Sequence, residues 1–303
     1  MLIAGPTASG KSALAILLAK ALNGTVINAD SMQVYRELRI LSARPSAAEE
    51  AEVPHRLYGF VTAGREYSTG DYLRDATAAL AEVTAEGRVP IFVGGTGLYF
   101  RALTEGLVET PAIPLAIKAE VAAQPAADLA AALARHDPVA AGRLNAADTP
   151  RLMRALEVVL ATGLPLAEWQ ARHQGAPLIA PGAWRGIYLA PERDMLFAGI
   201  DVRFHAMMAA GALDEVRTLA GLGLAPNRGI MKAHGVPHLI AHLDGALGRE
   251  EAIALGQQDT RRYAKRQLTW ARKFMAEWDW FASAGAAEEA ISGSGRGGDR
   301  LGA

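Results

Sequence analysis

The first twelve residues constrain the fold of this chain more than any later segment. Residues 5–12 read Gly-Pro-Thr-Ala-Ser-Gly-Lys-Ser and match the pattern G-x-x-x-x-G-K-[ST]. In this pattern the backbone N–H groups of a loop turn toward a phosphate, and the lysine adds positive charge. The following helix presents its positive dipole end to the same anion. We therefore predict a site for a diphosphate or triphosphate, with Ser12 as a contact to Mg²⁺. Its residues are Gly5, Pro6, Thr7, Ala8, Ser9, Gly10, Lys11 and Ser12.

The sequence on both sides of this loop supports the interpretation. Residues 2–4 are apolar and predict the end of a strand, and apolar residues then recur at helical spacing over 13–21. Asn23-Gly24 predicts the end of the helix, and residues 25–29 predict a second strand. A glycine-rich turn that binds nothing is the alternative, and this strand–loop–helix–strand setting disfavours it. Because the first strand is so short, the sequence leaves open whether the natural start lies upstream.

Composition limits the class of protein. The chain has 303 residues, of which 50% are hydrophobic, so it can form one large domain or two smaller ones. No apolar run reaches the roughly 18 residues of a membrane span, and no secretory signal precedes the loop, so we expect a cytoplasmic protein without a membrane partner. The absence of cysteine excludes disulfides and cysteine-ligated metals. With a net charge of -1, nucleic acid would have to bind a local basic patch.

The order of predicted elements indicates two kinds of structure. Residues 1–105 alternate between strand and helix, residues 112–175 are rich in Ala and Leu with predicted helix stops at Pro125, Pro138 and Pro150, and residues 184–189 return to strand character. We predict an α/β fold, a P-loop NTPase-like parallel sheet with a mainly helical insertion. The expected boundaries are 1–110 and 185–281 for the core, 111–184 for the insertion and 282–303 for a disordered tail.

Two polar residues follow predicted strands. Asp30 comes directly after the second strand, and Thr96 follows Gly94-Gly95 at the end of a buried strand. Ligands of open α/β sheets bind beyond the carboxyl ends of the strands, so both residues belong near the phosphate loop. Asp30 is a general base, a Mg²⁺ contact or a helix N-cap, and position alone does not separate these roles. For Thr96 alone an N-cap is favoured. A strand that ends in glycines disfavours an ATP-hydrolysing motor, which places an acid there.

Basic and histidine residues mark the second half of the chain. Residues 260–273 hold six cationic side chains and no acidic one, which is typical of a solvated helix face or of a surface for a phosphate backbone. Within that segment Tyr263 and Trp270 are seven residues apart, which suits packing. Arg203, taken alone, is an ordinary surface arginine. His234, His238 and His242 are spaced by four, but a helix edge is favoured over a metal site because Gly235 and Pro237 interrupt the pattern.

Several motifs occur together in one order. The phosphate loop is followed by Asp-Ser-x-Gln-Val-Tyr at 30–35, Pro-His at 54–55, Tyr-Ser at 67–68, Val-Gly-Gly-Thr-Gly-Leu-Tyr at 93–99 and Tyr-Ala-Lys-Arg-Gln-x-Thr-Trp-x-Arg at 263–272. Taken together they resemble the bacterial tRNA dimethylallyltransferases, and the resemblance runs from the N-terminus to about Trp280. The loop alone is shared with many enzymes, whereas the other three longer motifs are specific in combination.

This resemblance implies a reaction and its residues. The family transfers a dimethylallyl group from dimethylallyl diphosphate to the exocyclic N6 amine of the adenosine 3′-adjacent to the tRNA anticodon. Loss of diphosphate builds negative charge that the loop, Lys11 and Mg²⁺ are suited to stabilise. The adenine amine is a poor nucleophile, and a base must take its proton. By resemblance Asp30 is that base, Thr96 contacts the diphosphate and helps to place the base, and Arg203 also reaches the diphosphate.

The resemblance also implies an RNA surface and a flipped adenine. We expect a monomer with tRNA as partner and no obligate protein partner. The expected contacts with the anticodon stem-loop lie near the loop, in the insertion, in the stretch 231–235 and in the basic segment. Named individually they are Asp30, Ser31, Met32, Gln33, Thr96, Lys118, Pro150, Arg151, Leu152, Met153, Arg154, Arg261, Arg262, Lys265 and Arg266.

Departures from the family and rival functions remain. Relatives often carry Gly-Tyr-Arg where this chain has Gly235-Val236-Pro237, which bears on RNA contacts there. The nearest rival is an adenylate isopentenyltransferase, which shares the loop and the base but modifies a free nucleotide. A small-molecule kinase with the same loop and an RNA-binding module with a vestigial loop are the other two. The helical insertion and the basic segment favour tRNA as the acceptor.

Overall fold

The computed structural model describes residues 1–108, 111–173 and 175–294, with side chains through 291. This part of the chain forms two compact units. The first comprises Met1–Thr104 and the described chain from Leu178 onward, and the second comprises Glu105–Pro177. The predicted core and insertion correspond to these units, although the second begins six residues before 111 and ends seven residues before 184.

The first unit is built on a parallel sheet. Its order is β3-β2-β4-β1-β5-β6, and every strand pair is parallel. The strands within the described residues are β1 Leu2–Ala4, β2 Gly24–Asn28, β3 His55–Arg56, β4 Val89–Gly94, β5 Gly186–Leu189 and β6 Asp279–Phe281. The prediction of an α/β fold on a parallel sheet is confirmed. Although β1 has only three residues, it is central, and the three are buried.

Helices connect and cover these strands. In chain order, the α-helices of the described residues are α1 Lys11–Ala21, α2 Ala47–Glu52, α3 Thr69–Ala85, α4 Gly97–Glu105, α5 Leu115–Ala122, α6 Leu129–His136, α7 Pro138–Arg143, α8 Thr149–Thr162, α9 Leu166–Arg172, α10 Arg193–Ala209, α11 Ala212–Ala220, α12 Val236–Leu243, α13 Arg249–Phe274 and α14 Ala284–Ser294.

Consecutive strand residues point to opposite sides of the sheet. Because consecutive residues of the central strands are apolar and buried, both faces of the sheet are apolar. Leu2 and Phe92 pack with Tyr72 and Phe100 of α3 and α4 in one buried cluster. Ile3 and its neighbours on the other face pack against α1 in a second cluster. Full burial of each such side chain contributes roughly 1.5–3 kcal/mol. The sheet is therefore held rigidly from both sides, and its carboxyl edge offers fixed positions for loops.

The chain after residue 281 differs from the prediction. Disorder was expected over 282–303, and this is wrong for 284–294, which form α14. Ala287 is fully buried and the partly buried Ile291 packs in the same cluster as α1. These two residues lie four apart, so one narrow face of a Gly- and Ala-rich helix is enough to anchor it. Residues 295–303, the rest of the expected tail, lie outside the described residues.

The second unit is a helical bundle with its own apolar core, centred on Leu129, Leu133, Leu152 and Leu156. The helical run breaks before each predicted proline, since α5 ends at Ala122, α6 at His136 and α7 at Arg143. Pro138 and Pro150 also lie in the first turn of the helices that follow, α7 and α8. Proline fits there because the first N–H groups of a helix have no partner within it. Asp137 caps α7 by accepting a hydrogen bond from the Ala140 N–H at 2.9 Å.

The length and hydropathy of the described helices bear on whether any of them could span a bilayer. Taken singly, none of them is both long and apolar enough to cross a membrane, and only the bent pair α10 and α11 meets the length and composition criterion when its two helices are combined.

Candidate active site

Sheet register brings three loops to one edge. Ala4 of β1 pairs with Gly94 of β4, and Asn28 of β2 pairs with Val93 of the same strand. The phosphate loop, the segment that begins at Asp30 and the Gly95-Thr96 turn therefore leave the sheet side by side. This is the carboxyl edge, where ligands of open α/β sheets bind.

The phosphate loop closes directly onto α1. Ala8 and Gly10 have positive φ angles of 63° and 87°, and the helix begins at Lys11. The Lys11 Nζ donates to the Pro6 carbonyl at 3.3 Å, which curls the side chain over the loop. Burial lowers the pKa of Lys11 to about 8, an effect that Asp30 opposes and Arg203 reinforces. A bound anion would favour the charged lysine, so the loop is suited to a diphosphate.

Asp30 is fixed by its neighbours in a turn. Its N–H donates to the Asn28 side-chain oxygen at 2.8 Å, and one of its own carboxylate oxygens accepts from the Met32 N–H at 2.9 Å. The residues that follow form turns instead of a helix, so Asp30 is not a helix N-cap. The other carboxylate oxygen is left to act on a ligand, and Asp30 lines the cavity described below.

Thr96 connects two of the loops. Its hydroxyl accepts from the Ser31 N–H at 2.9 Å and lies 3.3 Å from the Ser31 hydroxyl. Its backbone N–H donates to the Ala29 carbonyl at 3.2 Å. The hydroxyl thus fixes the segment next to Asp30, a role beyond that of a helix N-cap. The strand ends in glycine because an added Cβ at Gly94 would lie 2.1 Å from the Ala29 backbone, so no acidic side chain fits there.

Arg203 reaches the same place from α10. A cavity of about 230 Å³ is lined by Lys11, Ser12, Asp30 and Arg203, together with Ser31, Met32 and Gln33. Burial lowers the pKa of Arg203, while Asp30 and Glu49 oppose that shift. An arginine still carries its charge at neutral pH. Taken alone in the sequence it was an ordinary surface arginine, whereas in the structure it lines the same cavity as Lys11 and Ser12 of the phosphate loop.

Gln33 is already engaged within the protein. Its amide nitrogen donates to the carbonyls of Ser42 at 3.0 Å and Ala43 at 2.9 Å. These bonds fix the orientation of the amide and leave its oxygen as an acceptor at the wall of the cavity. Lys232, Ala233 and His234 line the same cavity, so the stretch 231–235 lies at the site.

Helix α13 supplies side chains that sequence reasoning treated as packing or did not single out. Tyr263 hydrogen-bonds the Thr96 side chain, and burial raises the pKa of its phenol. Its ring contacts that of His234, with centroids 4.5 Å apart, and burial lowers the pKa of this histidine. Tyr263 and Gln267 line both the first cavity and a second one of about 190 Å³, whose wall includes Gly5, Thr96 and Trp270. A signal was present in the sequence, because Tyr263, Gln267 and Trp270 follow the i, i+4, i+7 spacing of one helix face.

The basic segment does not present one common surface. Arg266 lines the second cavity and lies over the Tyr263 ring at 5.5 Å. Arg261 is ion-paired with Asp201, which gives it a role in holding α13 to α10. Arg262 is exposed, and its guanidinium lies 3.6 Å from Asp259. Lys265 lines a separate groove with Arg193 and Trp280.

The second unit carries the remaining predicted contacts. Arg151 is exposed and pairs with Asp148 at 3.2 Å, and Arg154 lies 3.9 Å from Glu157. Lys118 is exposed, and Met153 is partly buried against the core of the unit. Leu152 is fully buried in that core, so its side chain is unavailable to a partner. Pro150 begins α8.

No group of three or more His, Asp or Glu side chains in 1–108, 111–173 and 175–294 is arranged to hold a metal ion. His238 instead pairs with Asp259 at 2.8 Å, which agrees with a helix edge.

Comparison with known proteins adds an independent finding. The family model described as IPP transferase matches residues 33–274. The chain belongs to the IPP transferase family. A tRNA dimethylallyltransferase of Bradyrhizobium sp. (strain BTAi1) is 57% identical over 284 residues, which cover 92% of this chain and 93% of that protein. One of Methylobacterium nodulans is 56% identical over 298 residues, with 97% and 98% coverage.

Solved structures of IPP transferases agree with the fold. The full-length tRNA isopentenylpyrophosphate transferase of Bacillus halodurans superposes with a TM-score of 0.68 at 33% identity and covers 96% of this chain and 95% of its own. A eukaryotic dimethylallyltransferase acting on tRNA gives a TM-score of 0.81 at 26% identity, with 97% of this chain and 76% of that chain covered. The resemblance to this family, first drawn from the motifs, is thereby confirmed. The family-model match begins after the phosphate loop and Asp30, so the geometry at the sheet edge supports those residues separately.

Proposed function

We propose that this protein transfers the dimethylallyl group of dimethylallyl diphosphate to the N6 amine of the adenosine 3′-adjacent to a tRNA anticodon. The observation that carries the proposal is the convergence of Lys11, Asp30 and Arg203 on one cavity at the carboxyl edge of the sheet. Two cations face the place of a departing diphosphate, and a carboxylate lies next to them. Family membership and the high identity to tRNA dimethylallyltransferases support the same substrates.

The proposed step uses these groups in turn. The N6 nitrogen attacks the allylic carbon, the carbon–oxygen bond to diphosphate breaks, and the electron pair leaves with the diphosphate. Lys11, Arg203 and the loop N–H groups stabilise that developing charge, which is worth most in a site shielded from water. Asp30 accepts the proton that N6 loses, and Thr96 holds the segment next to Asp30 through its bond to Ser31.

Magnesium fits this arrangement through Ser12. Mg²⁺ keeps several waters and is usually bound by substrate phosphates with one or two protein oxygens, and the Ser12 side chain lines the cavity beside Lys11. When bound, the ion would neutralise charge on the diphosphate. We expect activity to be lost with a chelator and restored by added Mg²⁺, with diphosphate release as the readout.

The RNA would be held by exposed cations and by the walls of the two cavities. Arg266 at the second cavity and Arg151 and Lys118 in the second unit remain proposed contacts to the anticodon stem-loop, and Arg261, with its Asp201 partner, is a weaker one. We further propose that the protein acts as a cytoplasmic monomer.

One experiment tests the function directly. Purified protein is given labelled dimethylallyl diphosphate with either AMP or an unmodified anticodon stem-loop, and nucleosides are analysed by mass spectrometry. Isopentenyladenosine in the stem-loop is expected. Transfer to AMP alone would instead indicate an adenylate isopentenyltransferase, and consumption of the ATP γ-phosphate without prenyl transfer would indicate a kinase.

A further inference from the structure

We infer that Gln267 is a positioning residue for the proposed transfer, because its side-chain amide joins the phosphate loop to the Gly95-Thr96 turn. The inference rests on the proposed function and concerns a residue outside the motif positions to which roles were assigned. Its amide oxygen accepts from the Thr7 N–H at 3.3 Å, and its amide nitrogen donates to the Gly95 carbonyl at 2.9 Å.

The two partners determine the orientation of the amide. Thr7 offers only a donor there and Gly95 offers only an acceptor, so a flipped amide would satisfy neither bond. Gln267 is buried, with 9% of its surface exposed, which makes unpaired groups costly. The amide is therefore held in one state and holds each loop in return.

The close approach is built into the backbone. A Cβ added at Gly95 would lie 2.2 Å from the Gln267 amide nitrogen, so glycine is required for this contact. The two bonds also join segments that are distant in sequence, since the Gln267 side chain on α13 bonds residues 260 and 172 positions away. No local interaction along the chain could set the spacing of these loops.

The consequence concerns the reacting atoms. The phosphate loop carries Lys11, and the Gly95-Thr96 turn fixes Ser31 beside Asp30. Sheet register brings these loops side by side, and Gln267 then holds the proposed leaving-group site and the proposed base at a fixed distance. Misplacement of reacting groups by about 1 Å can cost on the order of 100-fold in rate.

Gln257 provides a matched control on the same helix. It is equally buried, with 9% of its surface exposed, and its amide donates to the Asp201 carbonyl at 3.1 Å, away from both loops. Gln267→Met and Gln257→Met each replace a buried amide with an apolar chain of similar length. We expect Gln267→Met to lower kcat by about 10- to 100-fold with a change of less than about threefold in KM for the stem-loop. We expect Gln257→Met to lose comparable thermal stability but to keep kcat within about twofold of the parent, since it touches neither loop.

Gln267→Glu gives a readout that a purely structural role would not move. A protonated carboxyl can donate to Gly95 and accept from Thr7 as glutamine does, whereas the ionised form cannot donate and adds charge beside the diphosphate. Burial raises a carboxyl pKa, so the ratio of the variant's kcat to the parent's should rise by about threefold or more from pH 8 to pH 6. Taking the ratio removes the pH dependence that the variant and the parent share.

The experimental outcomes distinguish failure of this inference from failure of the proposed function. A Gln267→Met enzyme with kcat within twofold of the parent, equal losses in the two Met variants, or a pH-independent ratio for Gln267→Glu would each overturn the inference. Absence of transfer in the parent would count against the proposed function alone. In that case calorimetric binding of inorganic diphosphate decides, with affinity at least about threefold weaker in Gln267→Met than in Gln257→Met expected, and equal affinities contradicting the inference.

Discussion

The carboxyl edge of the sheet and the helical unit Glu105–Pro177 place their polar residues in opposite ways. At the sheet edge, the side chains of Thr96 and Gln267 join separate loops, because Thr96 bonds Ser31 65 positions away and Gln267 bonds Thr7 260 positions away. In the helical unit, Arg151 and Arg154 pair with acidic residues three positions away on or next to the same helix. The edge is therefore an interlocked site, whereas the helical unit offers separate surface charges. Mutations should have steep effects at the edge and shallow, salt-dependent effects in the helical unit.

The largest effect is expected from Asp30→Ala. Loss of the proposed base should lower transfer by roughly 10²–10⁴-fold, while binding of diphosphate survives because Lys11 and the loop are intact. Single-turnover transfer and calorimetry measure the two quantities. Transfer near the parent rate would remove Asp30 from the mechanism, and Asp30→Asn serves as the control for shape without the charge.

Lys11→Ala should have the second-largest effect on transfer. Removing a donor aimed at the leaving group typically costs about 10²–10³-fold in kcat, and here the affinity for diphosphate should fall too. Binding of the stem-loop, followed by filter retention, should change little. An RNA-binding module with a vestigial loop would show the same RNA binding but no transfer in the parent either.

A pH titration sharpens the comparison at the edge. Lys11 has a pKa of about 8 when no anion is bound, so it loses its positive charge as the pH rises through that value. The kcat/KM for dimethylallyl diphosphate reports the free enzyme and should fall up to about tenfold per pH unit above 8. Lys11→Arg should move this fall out of the measured range, since an arginine stays charged. An identical fall in that variant would assign the titration to another group.

The smallest effect is expected in the helical unit. Arg151→Ala should raise the KM for the stem-loop only a few-fold and reduce the salt dependence of binding by about one unit if the side chain meets one phosphate. Its ion pair with Asp148 is exposed, so the free energy of unfolding should stay within about 0.5 kcal/mol of the parent.

Leu152→Ala is the contrasting change next to Arg151. Leu152 is fully buried, so the variant should lose roughly 2–5 kcal/mol of the unit's stability, measured by denaturant unfolding. Where the unit remains folded, its KM for the stem-loop should equal that of the parent. A raised KM in the folded variant would contradict a purely internal role for this side chain.

Much of this structure could be predicted from local sequence patterns. The phosphate loop, the strands beside it and the positions of Asp30 and Thr96 follow from short-range patterns, because backbone turns and strand alternation depend on neighbouring residues. The breaks before Pro138 and Pro150 follow from the same kind of pattern, since α6 ends at His136 and α7 at Arg143. One local prediction was wrong, because residues 284–294 form a helix whose narrow face at Ala287 packs in one cluster with α1.

Tertiary structure decided which of the candidate side chains meet. Arg203 lines the cavity with Lys11 only because α10 packs beside the loop, and Arg261 is held in an ion pair because Asp201 lies opposite. The helical spacing places Gln267 on one face with Tyr263, but it does not specify the partners of the Gln267 amide, which are 260 and 172 residues away. The sequence by itself determined the chemistry that is available, because residue types and local turns are encoded locally. Which groups face one another depended on the packing of distant elements, which no local pattern specifies.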